Sequence, residues 1–169
     1  MKKIAAAAVL CALALSGCRT SYSWRSGVPA DMRTVAAPTF RNESDITELG
    51  SLASQQVLRE FQREGTFRIA RPDDAAIEIQ GVVKNADLSL GGGNRKTGMR
   101  LADYRLSVMA EVSVVDRRNG RVLIDNRTYG AEAVFASQMD LSTSMRNAGG
   151  RLAEDLARQI VDDVLSVQW

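Results

Sequence analysis

The chain has 169 residues, 45% of them apolar, with 22 basic against 20 acidic side chains. It contains no histidine, and its only cysteines are Cys11 and Cys18. That composition excludes a Ser-His-Asp relay, a Cys-His nucleophile pair and the usual zinc sets, and so small a charge excess gives no support to nucleic-acid binding.

Met1-Lys2-Lys3 is a short positive segment, and Ile4 to Leu15 is an apolar run. The run is too short for a hydrocarbon core, which takes about 20 residues, but it fits the apolar region of a signal peptide. Leu15-Ser16-Gly17-Cys18 then resembles a bacterial lipobox. Small residues admit the peptidase, and the Cys18 thiol accepts the diacylglycerol. Residues 1–17 are therefore expected to be removed, leaving 18–32 as a lipidated N-terminus and leader and 33–169 as a single domain. More than one acyl chain, palmitate among them, makes a stable anchor. Arg19 stands where Asp would favour inner-membrane retention, which points to the outer membrane. Loss of Lys2 and Lys3 leaves 20 basic against 20 acidic residues. Nearly all of the remaining cations are arginines, a usage that phosphate contact and a GC-rich genome both explain. Cys11 leaves with the signal peptide, so the mature chain has no disulfide partner for Cys18.

Gly27 and Pro29 break regular structure in the leader. Val35 to Pro38 reads as a short first strand. Asp45 with Glu48 suggests a capping box, and Ile46, Leu49, Ala53, Leu58 and Phe61 line one face of a helix over about 45–64, stopped by Gly65. Thr66 to Ala70 has the length of a short strand. Ala75, Ile77, Ile79, Gly81 and Val83 alternate with their neighbours as a strand. Leu88 to Leu101 reads as a basic loop, with Gly91-Gly92-Gly93-Asn94 followed by Arg95, Lys96 and Arg100. Tyr104 to Val114 is the cleanest alternation in the chain. Asn119-Gly120 is a hairpin signal, with Val122 to about Phe135 returning as the partner strand. Residues 136–148 are polar and carry no clear period. Leu152, Leu156, Ile160, Val164 and Leu165 mark a final helix. This order predicts an α+β fold, with two helices on one face of a mostly antiparallel four-stranded sheet.

Chemistry-bearing groups are few. The acid pairs Asp73-Asp74 and Asp162-Asp163 read as solvated surface, because adjacent helical residues do not share a face. Gly91 to Thr97 departs from a nucleotide loop, since Arg95 stands where that motif requires a glycine. The three glycines leave two readings for Arg95, Lys96 and Arg100: contact with phosphates, or a solubilising surface loop. No cofactor is expected, and the chain reads as a non-enzyme.

Several segments in order carry a family resemblance: Tyr22-Ser23-Trp24 after Cys18, Val35 to Asn42 before the first helix, Ala76 to Gly81, Ala102 to Leu106, Gly120 to Leu123, and Leu152 to Ala157 leading to Trp169. Together the chain resembles the LptE family of lipopolysaccharide-assembly lipoproteins. The resemblance implies two helices on a four-stranded sheet and a seat inside the LptD β-barrel of the outer membrane as plug and assembly factor. It also implies direct contact with lipopolysaccharide through basic residues at one end of the sheet, the region that holds Arg95, Lys96 and Arg100. Penicillin-binding-protein activator lipoproteins and secretion-pore subunits also place a segment like Val35 to Asn42 before a helix, and they form the alternative.

Overall fold

Tyr104 to Val114 alternates because one side of its strand packs against helices and the other meets solvent. In the computed structural model, which describes residues 27–91, 103–136 and 140–169, this strand is β5 (Asp103–Asp116). The preceding strands are β1 (Thr34–Ala36), β2 (Arg41–Asn42), β3 (Arg68–Ile69) and β4 (Ile77–Leu90). The last is β6 (Arg121–Ala136). The helices are α1 (Leu49–Glu64) and α2 (Leu141–Ser166).

The sheet runs β3-β1-β4-β5-β6, with β2 also on β4, six strands in all among the described residues. It is mixed. β1 lies parallel to both β3 and β4, β2 is parallel to β4, and β4-β5-β6 is an antiparallel meander. This corrects the expected four-stranded, mostly antiparallel sheet. The cause is α1, which carries the chain back along the sheet, so that strands before and after it run the same way. Between β1 and β2, Pro38 has no N–H to give the ladder, and the first strand is split into two short pieces.

Ile77, Ile79, Val83, Leu106, Val108, Ala110, Val112, Val114 and Tyr129 share one buried cluster with Leu49, Ala53, Val57 and Phe61 of α1 and Leu152, Leu156, Ile160 and Val164 of α2. Both helices therefore cover the same face of the sheet, as expected. The other face carries Arg105, Met109, Glu111 and Glu132 towards solvent.

Strand β4 continues past Val83, where the apolar alternation stops, out to Leu90. The register shifts between Val83 and Asn85. The extra residue, Lys84, moves the following apolar side chains from odd to even positions. Val83 pairs with Ala110, and then Ala86, Leu88 and Leu90 pair with Val108, Leu106 and Tyr104. Residues 88–90, read from the sequence as loop, thus belong to the strand.

Helix α1 starts at Leu49 rather than near Asp45, and no side chain caps its first residue. The entry is organised by Asn42, whose Nδ2 donates to the carbonyls of Ile46 (2.8 Å) and Thr47 (3.1 Å). Gly65 ends the helix in the left-handed region at φ 85°, donating to Phe61. Helix α2 begins at Leu141, and the Asp140 carboxylate caps it by accepting from the N–H groups of Ser142 and Thr143 at 3.0 and 3.1 Å.

Candidate functional site

Four places among the described residues have the geometry of a site: the two ends of the β4-β5-β6 meander, a cleft between the helix starts and a hollow on the opposite face of the sheet. At one end β4 and β5 pair out to Leu90 opposite Tyr104, and the Gly91 N–H donates to the Asp103 carbonyl at 2.6 Å. Gly91 and Asp103, the described residues on either side of 92–102, are thus joined directly. Arg95, Lys96 and Arg100 fall within it and lie outside the described residues, as does Cys18. Next to this junction Tyr104 stacks on Phe135, with ring centres 5.8 Å apart, and Arg105 pairs with Glu132 at 2.9 Å.

The leader meets the opposite end. Val28 is buried, and its carbonyl accepts from Arg33 Nε and Nη2 at 3.1 and 3.0 Å. Asp31 pairs with Arg118 in the β5-β6 turn. Asp116, 1% exposed, accepts from the Arg118 N–H and guanidinium, which hold its carboxyl below the usual carboxylate range. Arg117 pairs with the buried Glu78. The two arginines of this turn thus neutralise the two buried acids, a pairing that a buried carboxylate requires. At about 3.3 Å per residue, the 14 residues of β5 separate this end from the 92–102 end by about 45 Å.

A cleft of about 310 Å³ opens between the start of α1 and the first turns of α2. Ile46, Leu49, Leu52 and Met145 wall it, with Gly149 at its base and Asp45, Glu48, Ser142 and Arg146 at its mouth. A second hollow of about 340 Å³ lies on the face away from the helices, where the β1-β2 break rises beside Arg41, Gln80, Glu111 and Asn126. It is polar and laced with ion pairs. Lys84 holds Glu43 at 2.7 Å, which lowers the carboxyl and raises the amine from their ordinary values. Among the described residues no group of three His, Cys, Asp or Glu is placed to hold a metal, and no helix is long and apolar enough to cross a membrane.

The interhelix cleft was not foreseen from the sequence, although its signal is present. Leu141, Met145, Ala148 and Leu152 are spaced by four, three and four, a helical stripe, in a stretch whose polar residues hide it.

Comparison with protein families finds the model of the LptE lipopolysaccharide-assembly family matching residues 32–164. The chain belongs to the LptE family. Its match begins at Met32, just before β1, and ends at Val164 in the last turn of α2, so all six strands, α1 and all but the last two residues of α2 of this LptE-family domain fall within it. The fold recurs in solved structures. A protein described as a lipoprotein from Caulobacter crescentus CB15 aligns with TM-score 0.53 at 14% identity, over 80% of this chain and 91% of that one. A minor lipoprotein of Acinetobacter baumannii aligns with TM-score 0.52 at 12% identity, over 80% and 94%. The search of curated proteins gives no match.

Proposed function

We propose that this LptE-family chain is a non-enzymatic lipoprotein of the outer membrane, which seats in the LptD β-barrel as plug and assembly factor and contacts lipopolysaccharide. The observation that carries the reading is the family match over residues 32–164, nearly all of the two-helix, mixed-sheet domain. Residues 1–17 act as a removable signal peptide, Cys18 takes the lipid, and residues 19–32 lead to the domain. The leader meets the domain beside Arg118, while the segment holding Arg95, Lys96 and Arg100 springs from the far end of β4 and β5. That arrangement supports a division of labour: one end is tied to the membrane lipid, and the other is free to meet the anionic phosphates of lipopolysaccharide, with which arginine forms charge-assisted bonds.

Two measurements test this. Mass spectrometry of the mature protein should find a chain starting at an acylated Cys18, and a different start or a bare thiol contradicts the anchor. Recovery of the acylated protein from membranes should bring down a β-barrel of the LptD type. Recovery of a murein synthase or a secretion pore in its place contradicts the barrel assignment and favours the activator or pore-subunit reading.

A further inference from the structure

We propose that a polar hollow at the leader end of the domain holds the phosphate of an anionic phospholipid. The lipid source rests on the Cys18 anchor proposed above, and the anion site itself does not. The hollow, about 300 Å³, opens where β1 and β3 begin, with Ala30, Arg33, Thr34, Thr66 and Arg68 in its lining and no carboxylate. Most described arginines hold an acid, as Arg105 holds Glu132 and Arg127 holds Asp163. Arg33 and Arg68 hold none among the described residues. Their backbones are joined, since the Arg68 N–H donates to the Arg33 carbonyl at 2.8 Å and Thr34 pairs with Arg68 in register. Arg33 Nε and Nη2 both donate to the Val28 carbonyl, which fixes the guanidinium and leaves Nη1 to serve a ligand. Thr34 Oγ1 accepts from the Ala76 N–H at 2.9 Å and keeps its own proton to donate. The acid beside the hollow, Glu64, is turned to Thr66, whose N–H and hydroxyl donate to it at 2.8 and 2.6 Å.

Charge and position name the occupant. Like charges on adjacent strands destabilise a sheet, and an anion between Arg33 and Arg68 relieves that repulsion. Two guanidinium groups beside a hydroxyl donor suit the oxygens of a phosphate. The volume is at the low end for ligand sites, roughly 300–1,000 Å³, which leaves room for one head group with its acyl chains outside. Ala30, in the lining, stands 12 residues after Cys18 (30 − 18). An extended chain spans at most about 3.6 Å per residue, so the hollow stays within roughly 40 Å of the anchored cysteine. Within that reach a bilayer presents its phosphates at high effective concentration, and a site that binds free phosphate weakly is well filled beside a membrane. The leader thus brings to the lipid surface the end of the domain that carries two cations without acids.

The test uses the full acylated chain in nanodiscs of phosphatidylcholine, with or without added phosphatidylglycerol. Phenylglyoxal modification of each arginine is followed by peptide mass spectrometry. With phosphatidylglycerol, Arg33 and Arg68 should react at least about threefold more slowly, as occupancy of the site dictates. Arg59 and Arg151, exposed on the two helices and likewise without an acid partner among the described residues, should keep their rates. Inorganic phosphate, titrated into the phosphatidylcholine discs at constant ionic strength, should protect the same pair. Arg68→Gln should abolish the protection of Arg33 in a chain whose melting shows it folded. Arg121→Gln removes another cation at the same end, opposite Asp116, and should leave that protection intact. Equal slowing at Arg59 and Arg151 would overturn the site as a general surface field, and so would loss of protection in Arg121→Gln to the same degree as in Arg68→Gln. Protection by inorganic phosphate alone would overturn the lipid source, and protection in neither arm would overturn the site. A chain that leaves the discs would remove the anchor reading and with it the lipid source, while protection by inorganic phosphate would still mark the pair as an anion site.

Discussion

The ring of Phe40 occupies the space above Gly81 where a Cβ would otherwise stand, and the Phe40 carbonyl lies equally close to Gly50 of α1. Phe40 follows the Pro38 break between β1 and β2, and it is gripped between the central strand β4 and the first helix. Two of the segments that carry the family resemblance, Val35 to Asn42 and Ala76 to Gly81, meet in this one contact. Gly81→Ala should therefore cost about 1–3 kcal/mol through overpacking. In a Phe40→Ala background the same change should cost less than half as much, because every colliding side-chain atom beyond Cβ is gone. Urea denaturation of the four chains measures the coupling, and additive costs would contradict the contact.

The core prediction concerns the middle of the helix-sheet interface. Leu156 of α2 and Val108 of β5 are buried in the same cluster. Leu156→Ala should destabilise the domain by about 2–4 kcal/mol, and Val108→Ala by roughly 2 kcal/mol, through lost burial and residual cavity. Denaturant midpoints at constant slope give the values. A loss below about 1 kcal/mol at both sites would place the core on the wrong face.

Arg118 bridges Asp116 and Asp31, so its removal acts twice. Arg118→Ala leaves the Asp116 carboxylate buried with its main partner gone, an expected cost of about 1–3 kcal/mol, held down because the arginine is 44% exposed. It also frees the Asp31 turn. Limited proteolysis should then cut the leader around Ala30 to Met32 sooner than in the parent. Asp31→Ala alone should speed that cutting with little loss of global stability, and equal stability losses in the two variants would contradict this ranking.

Asp140 supplies a pH dependence. The hydroxyls and N–H groups of Thr143 and Ser142 stabilise its ionised form and lower the pKa from 3.8 to about 2. A depressed folded-state pKa contributes stability that is present above the unfolded value and lost as pH falls towards the folded one. The contribution should therefore vanish between about pH 4 and pH 2. Asn caps helices about as well as Asp, so Asp140→Asn should match the parent near neutrality and lose less stability over that acid interval. Denaturant titrations across the interval compare them, and parallel curves would contradict the cap's role.

The elements legible in the sequence are those whose periodicity is uninterrupted. Tyr104 to Val114, the hairpin at Asn119-Gly120 and the Leu152 to Val164 stripe all match the structure. The extension of β4 to Leu90 was hidden because the bulge at Lys84 switches the apolar parity, so that Ala86, Leu88 and Leu90 look out of phase with Ile77 to Val83. The beginning of α2 was hidden by Ser142, Thr143 and Ser144, which favour caps over helix interiors. Here they sit beside Asp140 in the first turn. Parallel pairing of β1 and β2 was not legible at all, since it depends on where α1 returns the chain and on no local pattern. Cys18, Arg95, Lys96 and Arg100 lie outside the described residues, while the cleft beside Met145 was not legible, because it depends on two helix starts brought together across the fold.

The most direct test of the central claim is lipopolysaccharide binding by the full chain with Arg95, Lys96 and Arg100 all changed to Ser, alongside recovery of the barrel. Each exposed arginine-phosphate contact is worth on the order of 1–2 kcal/mol. The triple variant should therefore bind lipopolysaccharide about tenfold or more weakly. Parent binding should weaken as salt rises, and the barrel should be recovered equally well with both chains. Undiminished lipopolysaccharide binding by the triple variant would contradict the phosphate-contact account and reduce the segment to a solubilising loop. A parent chain that recovers neither lipopolysaccharide nor a barrel would contradict the proposed function as a whole.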